Sequence, residues 1–260
     1  MDAVLTVPLG FALGFLIGLT GVGGGALVAP ALYVLLGMTY PQAVGMSLIY
    51  SVFTKIIGFV QHLRQGNVAW KISLIYGLAG IPGAVLGSVL LYKVTGPGQR
   101  LFPFLMGGLL ILVAALLLLE AGVASLALRR RPLDPERIDG KGMLGVAAFS
   151  SLVGALMGVT SIGSGSLIIL SMVFLFRMSA RRIVGSNIAI ALIMVVPAGL
   201  THFAVGGVDL RRLVLLMLGS IFGTVLGSKA SITVPDRTLK FAMAILIFLS
   251  ALSTLAKAWP

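Results

Sequence analysis

The chain has 260 residues, 58% of them hydrophobic and 10% charged, with a mean hydropathy of +1.12, which excludes an ordinary soluble domain and predicts a polytopic membrane protein. The formal charge of +12 does not indicate a nucleic-acid partner, because the basic residues lie between hydrophobic runs, where membrane orientation explains them. The lack of cysteine and the presence of only two histidines exclude thiolate chemistry and a His/Cys metal cluster.

The first element is a hydrophobic run that glycines interrupt. Residues 4–19 are slightly short for the roughly 20 residues that cross a bilayer, and residues 25–37 are clearly too short. Between them lies Gly18-Leu-Thr-Gly-Val-Gly-Gly-Gly. Such a stretch lets the backbone leave helical geometry and present free N–H groups, which lipid tolerates only where protein buries them or a cavity receives them. We predict a broken or re-entrant pair over 4–37.

Three further runs, about 43–62, 68–92 and 101–120, are each long enough to span the membrane. The polar segment from Arg129 to Lys141 follows them and separates two halves of the chain. We therefore predict a first transmembrane repeat over 1–124, a cytoplasmic linker over 125–142 and a second transmembrane repeat over 143–260.

The second half repeats the first at a constant offset of 140 residues. The glycine break returns as Gly158-Val-Thr-Ser-Ile-Gly-Ser-Gly. The matched residues include Gly14, Thr20, Gly23, Gly25, Gly45 and His62, which recur as Gly154, Thr160, Gly163, Gly165, Gly185 and His202. This is an internal duplication, and its two halves are expected to form one functional unit.

The basic residues indicate how the halves are oriented. If the linker is cytoplasmic and each broken pair returns to the side it came from, 13 of the 19 Lys and Arg residues lie on the cytoplasmic side. The two halves are then inverted relative to each other, a pattern typical of secondary transporters with a site near the midplane. The predicted fold is all-α and polytopic, with two inverted repeats, about eight transmembrane helices and two broken or re-entrant segments.

The short helices after the breaks would point their N-termini, with unpaired N–H groups and the positive end of the helix dipole, at the broken loops. Such an end favours an anion, and nearby hydroxyl groups add donors without fixed charge. The sequence therefore predicts a substrate site where the two breaks meet. Its residues are Thr20, Gly21, Gly23, Gly24, Gly25, Ser47, Lys55, Thr160, Ser161, Gly163, Ser164, Gly165, Ser166 and Asn187.

Several of these assignments have alternatives. Lys55, the basic residue well inside a predicted span, is either a countercharge for an anion or a side chain that snorkels to the interface. Ser47 and Asn187 line the cavity or make polar helix contacts. The matched histidines, His62 and His202, are interpreted as interfacial helix ends rather than a proton shuttle, since inversion would place them at opposite faces.

Other features limit the chemistry. The outer glycines, among them Gly14 and Gly18, are expected to allow close helix packing. All seven acidic residues fall at span ends or in loops, which argues against a carboxylate proton relay and a cationic substrate. No nucleophile and base, paired carboxylates or metal ligands are recognisable, so we expect no enzyme activity, no catalytic residues, no metal and no cofactor.

The chain resembles the sulfite exporter TauE/SafE family of permeases. The resemblance rests on residues 18–25, their echo at 158–165, and Ala43-Val44-Gly45-Met46-Ser47 with its counterpart Ile183-Val184-Gly185-Ser186-Asn187. It implies a secondary transporter of sulfite or an organosulfonate such as sulfoacetate in the bacterial inner membrane. An anion channel that uses the same helix ends is the alternative. A homodimer and coupling to protons or Na⁺ remain open.

Overall fold

The computed structural model describes most of the chain as helix. The described residues are 2–20, 24–94, 96–122, 140–163, 165–176, 178–205, 208–231 and 235–259. Within them lie α1 (Asp2–Thr20), α2 (Gly25–Val34), α3 (Tyr40–Arg64), α4 (Trp70–Lys93), a 3-10 helix (Gly96–Arg100), α5 (Leu101–Gly122), α6 (Gly140–Thr160), α7 (Ser166–Leu175), α8 (Ala180–Ala204), α9 (Leu210–Ser231) and α10 (Asp236–Ala258).

Seven of these helices are long and apolar enough to cross a membrane: α3, α4, α5, α6, α8, α9 and α10. The apolar part of α1, Leu5–Leu19, falls just below that length. Because α1 and α6 occupy equivalent places in the two halves, α1 completes the set of about eight that the sequence predicts. The two remaining helices, α2 and α7, have ten residues each and are the short pieces after the breaks.

Local sequence explains where the long helices begin. Thr39 precedes α3, and its backbone N–H donates to Gln42 Oε1 at 3.2 Å, while Pro41 takes a position where no intrahelical donor is needed. Asp209 serves α9 in the same way, since its Oδ1 accepts from the Arg212 N–H at 3.1 Å. Gly66, with a φ of +68°, closes the turn between α3 and α4.

Glycine seams join the two halves, and the same seam occurs twice. A methyl group on Gly14 of α1 would lie 2.4 Å from the Ser220 carbonyl oxygen of α9, and one on Gly154 of α6 would lie 2.2 Å from the Gly80 carbonyl oxygen of α4. Adding 140 to one position of each pair and subtracting it from the other converts the first contact into the second. The packing role expected for the outer glycines is confirmed, because only the absence of a side chain allows this approach.

The contacts also fix helix directions. Residues that ascend in α1 meet residues that ascend in α9, and α6 runs parallel to α4 in the same way. Helix α3 is antiparallel to α8, and α5 is antiparallel to α10. These directions place the C-terminus of α3 and the N-termini of α4, α6 and α8 at one end of the bundle, called here the basic end. The other end, which holds the C-termini of α2, α4, α8 and α10, is called the opposite end.

Candidate functional site

The two glycine breaks are in contact at the centre of the bundle. A methyl group added at Gly25, the first residue of α2, would lie 2.0 Å from the Ser161 carbonyl oxygen in the second break. Ser161 Oγ donates to Ser47 Oγ of α3 at 3.0 Å, and both residues are buried. Four of the predicted site residues, Gly24, Gly25, Ser47 and Ser161, are therefore neighbours.

The backbone of the second break is held in an unusual conformation. Ser161 has a φ of +62°, in the left-handed region that side chains other than glycine rarely occupy, and Gly163 has a φ of +119°. The Thr160 hydroxyl donates to the Leu156 carbonyl at 2.7 Å and accepts from the Ile162 N–H at 3.1 Å. Thr160 thus closes the end of α6 on itself, so its hydroxyl is committed to the backbone rather than offered to a ligand.

The N-terminus of α2 opens toward α3. Gly24 caps this helix without a side-chain hydrogen bond, and the first intrahelical donors are the Leu27 and Val28 N–H groups, so the amides of Gly25 and Ala26 lie ahead of them. A methyl group on Gly24 would lie 3.2 Å from Ser51 Oγ. That hydroxyl is buried, its residue is 2% exposed, and it has no hydrogen-bond partner. The site therefore holds backbone donors and a free hydroxyl within reach of one another.

Ser51 was not among the residues that the sequence predicted. The signal that identifies it is spacing, since it lies four residues after Ser47 and four before Lys55, on the same face of α3. Lys55 is half-buried and has no hydrogen bond or ion pair within the described part of the chain. Because α3 continues to Arg64, its ammonium is about 14 Å from the helix end at 1.5 Å per residue, farther than the sequence indicated.

The remaining predicted residues fall into two groups. Asn187 of α8 is buried, and its Oδ1 has no partner, so it is a second free polar group. Gly165 caps α7, and Ser166 begins it. Thr20 is the last residue of α1. The side chains of Thr20 and Ser166, and the whole of Gly21, Gly23 and Ser164, lie outside the described residues.

The opposite end of the bundle is closed above the second break. Tyr40 of α3 donates its hydroxyl to the Val159 carbonyl at 3.1 Å. His202 of α8 places Nε2 3.1 Å from the Gly158 carbonyl and Nδ1 2.9 Å from the Tyr92 hydroxyl. Because a carbonyl only accepts, a neutral ring protonated at Nε2 satisfies both contacts, with Tyr92 donating to Nδ1. These bonds are called the opposite-end seal.

The seal corrects one expectation. His202 is fully buried and packs its ring against Gly45, so the interpretation of both histidines as simple interfacial helix ends is wrong for His202. His62 differs, since it is half-buried and its Nδ1 has no partner. The two residues occupy equivalent places in the repeats and have different environments.

A pocket of about 560 Å³ lies at the opposite end, outside the seal. Tyr92 and Val205 form part of its lining, and Arg100 provides a cation there. The other lining residues are Tyr33, Thr39, Tyr40, Pro41, Gln42, Gln99 and Pro103. Tyr92 therefore faces the pocket on one side and holds His202 on the other, which separates this pocket from the meeting point of the breaks.

Within the described residues, no group of three or more His, Asp or Glu side chains is arranged to hold a metal ion. What the site offers is backbone amides, hydroxyl groups, one amide oxygen and one unpaired ammonium. Donors and a positive charge predominate, and this combination recognises a small anion.

Comparisons with known proteins agree with this chemistry. A family model described as sulfite exporter TauE/SafE matches residues 6–254. The chain is 35% identical over 257 residues to the "Probable membrane transporter protein YjnA" of Bacillus subtilis, covering 96% of this chain and 98% of that protein. It is 28% identical to the "Probable membrane transporter protein YdhB" of the same organism, covering 92% and 95% of the two chains.

A further relative, a "Probable membrane transporter protein" of Xylella fastidiosa, is 32% identical over 190 residues, which is 71% of this chain and 68% of that protein. No solved structure matches the chain. A family match over nearly the whole length and a relative above 30% identity over nearly all of both chains identify the class of protein. The chain belongs to the sulfite exporter TauE/SafE family of membrane transporters.

Proposed function

We propose that this transporter moves a small sulfur-containing anion, sulfite or an organosulfonate such as sulfoacetate, across the bacterial inner membrane by alternating access. The observation that carries the proposal is the junction of the two breaks. There the uncapped N-terminus of α2 lies beside the free Ser51 hydroxyl, and the unpaired Lys55 is one turn further along α3. The family description supplies the sulfur oxyanion as the substrate class.

The charge distribution supports an anion over a cation. The acidic residues that the structure describes, Asp2, Glu120, Asp209 and Asp236, lie at or next to helix ends. An anion at the junction would accept from the amides of α2 and from Ser51, while Lys55 offsets its charge. Because the amides and hydroxyl are neutral, they bind the anion without holding it as tightly as several fixed cations would, which suits release on the other side.

The seams and helix directions support inverted repeats over 1–124 and 143–260. In the first half α1 begins at the opposite end, whereas its counterpart α6 begins at the basic end. Related contacts with reversed directions are the arrangement in which two repeats can exchange roles around one central site. The basic end carries Arg64, Lys71, Arg181, Arg182 and Lys229, and we assign it, together with the linker 125–142, to the cytoplasm.

The first experiment is thermal stabilisation of the purified protein by sulfite, sulfoacetate, taurine, sulfate, acetate and chloride. A ligand at about 100 times its Kd stabilises by about 2.7 kcal/mol. We expect selective stabilisation by sulfite or a sulfonate. Lys55→Met should weaken it without reversing selectivity, and Gly24→Leu and Gly165→Leu should abolish it in folded protein. Ile57→Met is the matched control, since this side chain lies on the other side of α3 and is exposed.

Stabilisation by none of these anions, or full binding by both glycine variants, would contradict the proposal. In liposomes, saturable flux with counterflow distinguishes a transporter from an anion channel. A conductance too fast for a conformational cycle would indicate the channel.

A further inference from the structure

The half of α3 nearer the basic end carries polar groups that nothing in the described chain satisfies. Ser51 Oγ and His62 Nδ1 are buried without a hydrogen-bond partner, and Lys55 has neither a bond nor an ion pair. At about 100° per residue the three side chains fall within an arc of about 40°. With Gly58, which lies in the same arc, they are called here the polar stripe.

The remaining faces of this half of α3 are apolar. The exposed side chains there are Phe53, Ile56, Ile57, Val60 and Leu63. Ile57 is 72% exposed and lies about 200° around the helix from Lys55. This division is what a helix shows when one side meets lipid and the other meets water, because each side chain is then matched to its solvent.

The equivalent half of α8 is fully covered. The repeat partners of the polar stripe are Ala191, Val195, Ala198 and His202, and each is at most 1% exposed. Helix α4 covers α8 along its length, from the Ala69 N–H bonded to Ser186 Oγ to the Tyr92 hydroxyl bonded to His202. The polar groups of the stripe are thus replaced by apolar ones, or by a bonded histidine, where the helix is packed.

Helix α9, the repeat partner of α4, does not cover α3 in the same way. The two helices meet at the bond between the Tyr50 and Ser220 hydroxyl groups, above the polar stripe. Beyond that point, a methyl group on Gly58 would meet nothing nearer than the Ile188 side chain at 3.5 Å. A gap therefore follows the stripe from Ser51 toward the basic end.

Lipid does not fill such a gap without a cost. A lysine at the centre of a membrane helix costs roughly 2.5–3.5 kcal/mol on insertion scales, and unpaired hydroxyl and imidazole groups add to that. Water satisfies all three groups at once. Because the hydrated groups include one ammonium and, in the described residues, no carboxylate faces them, the space favours an anion.

We infer that the polar stripe lines a water-filled anion route that joins the junction of the breaks to the basic end, with Ser51 as a substrate ligand at its inner end. The inference rests on the proposed function and assigns it a path and a further binding residue. The described conformation is open toward the basic end, since the stripe is uncovered and the opposite-end seal is closed.

The test uses single cysteines, since the natural chain has none. Ser51→Cys, Lys55→Cys and His62→Cys are compared with two controls, Ile57→Cys on the apolar face and Val195→Cys, the packed repeat partner of position 55. Each is treated in inside-out and right-side-out membrane vesicles with two impermeant methanethiosulfonates, one bearing a sulfonate and one a trimethylammonium group. Only a hydrated thiol ionises to the reactive thiolate.

We expect the three stripe cysteines to react at least about tenfold faster than both controls, and only from the side of the basic end. Equal rates for Lys55→Cys and Ile57→Cys, or reaction from the opposite end alone, would overturn the route. The charge of the reagent tests the proposed function separately. At position 51, where Lys55 is retained, faster reaction with the sulfonate supports anion selectivity, whereas equal rates would leave the route supported and count against an anionic substrate.

Discussion

Ser161 Oγ donates a hydrogen bond to Ser47 Oγ at 3.0 Å, across 114 positions of sequence. Ser161 lies in the break of the second half, and Ser47 lies on the spanning helix that follows the break of the first half. The bond therefore links the halves at the point where their irregular backbones meet. Since the Ser161 carbonyl also packs on Gly25, one residue holds α2 and α3 together.

The first prediction separates the two properties of Ser161, its hydroxyl and its backbone conformation. Ser161→Gly removes the hydrogen bond and accepts the φ of +62°. Ser161→Ala removes the same bond and keeps a Cβ in the left-handed region. We expect Ser47→Ala and Ser161→Gly each to lower the free energy of unfolding by about 0.6 kcal/mol, the mean for interhelical hydrogen bonds in a membrane protein. Ser161→Ala should cost about 1 kcal/mol more than Ser161→Gly.

Reversible unfolding in mixed detergent measures these differences. The double variant Ser47→Ala with Ser161→Gly should cost no more than either single variant, because both singles break the same bond. Simple additivity of the two singles would show that the bond contributes nothing in the membrane-embedded protein.

The second prediction concerns the contact of the breaks. Gly25→Ala places a methyl group on the Ser161 carbonyl, which is backbone and has no flexible end to move. We expect a loss of about 1–3 kcal/mol in stability and loss of anion-dependent stabilisation. Gly108→Ala in α5 is the matched control, because a methyl group there meets nothing within 4 Å. That variant should be neutral or up to about 1 kcal/mol more stable. Equal behaviour of the two variants would mean that the breaks do not need to touch.

The sequence predicts the helices and the breaks well because both are local properties. Apolar runs identify the spans, and the glycine seams follow from small residues four apart on α1 and α6. The contact of the breaks was also predictable, since lipid does not tolerate two separate irregular stretches. What remains free to bind a ligand is a tertiary property. Thr160 looks like a ligand in sequence and bonds its own helix, whereas Ser51 looks unremarkable and keeps a free hydroxyl.

The third prediction tests the orientation of the bundle. Cysteines placed at Arg130 in the linker and at Arg181, in the first turn of α8, should both be labelled from the cytoplasmic side by an impermeant maleimide. Arg211→Cys, in the first turn of α9 at the opposite end, should be labelled from the other side. Labelling of positions 130 and 181 from different faces would contradict the inverted arrangement, and labelling of both from outside would reverse the assignment of the basic end.

The fourth prediction compares the two histidines that the repeats place in equivalent positions. The sequence does not distinguish them, but position 92, whose hydroxyl bonds His202, is a tyrosine, and its repeat partner at position 232 is isoleucine. His202→Leu leaves the Gly158 carbonyl and the Tyr92 hydroxyl buried without partners, at about 1–3 kcal/mol each before any relaxation. We expect a marked loss of stability.

His62→Leu should change the free energy of unfolding by less than about 0.5 kcal/mol, because in this conformation His62 Nδ1 has no partner to lose. Tyr92→Phe provides the link to the seal, since it removes the donor to His202 Nδ1 and keeps the ring. Its cost should shrink when His202 is already leucine, which a double-mutant cycle measures. If His62→Leu were as damaging as His202→Leu, the difference between the two ends would not lie in these bonds. Their asymmetry would then carry no information about which end of the transporter is closed.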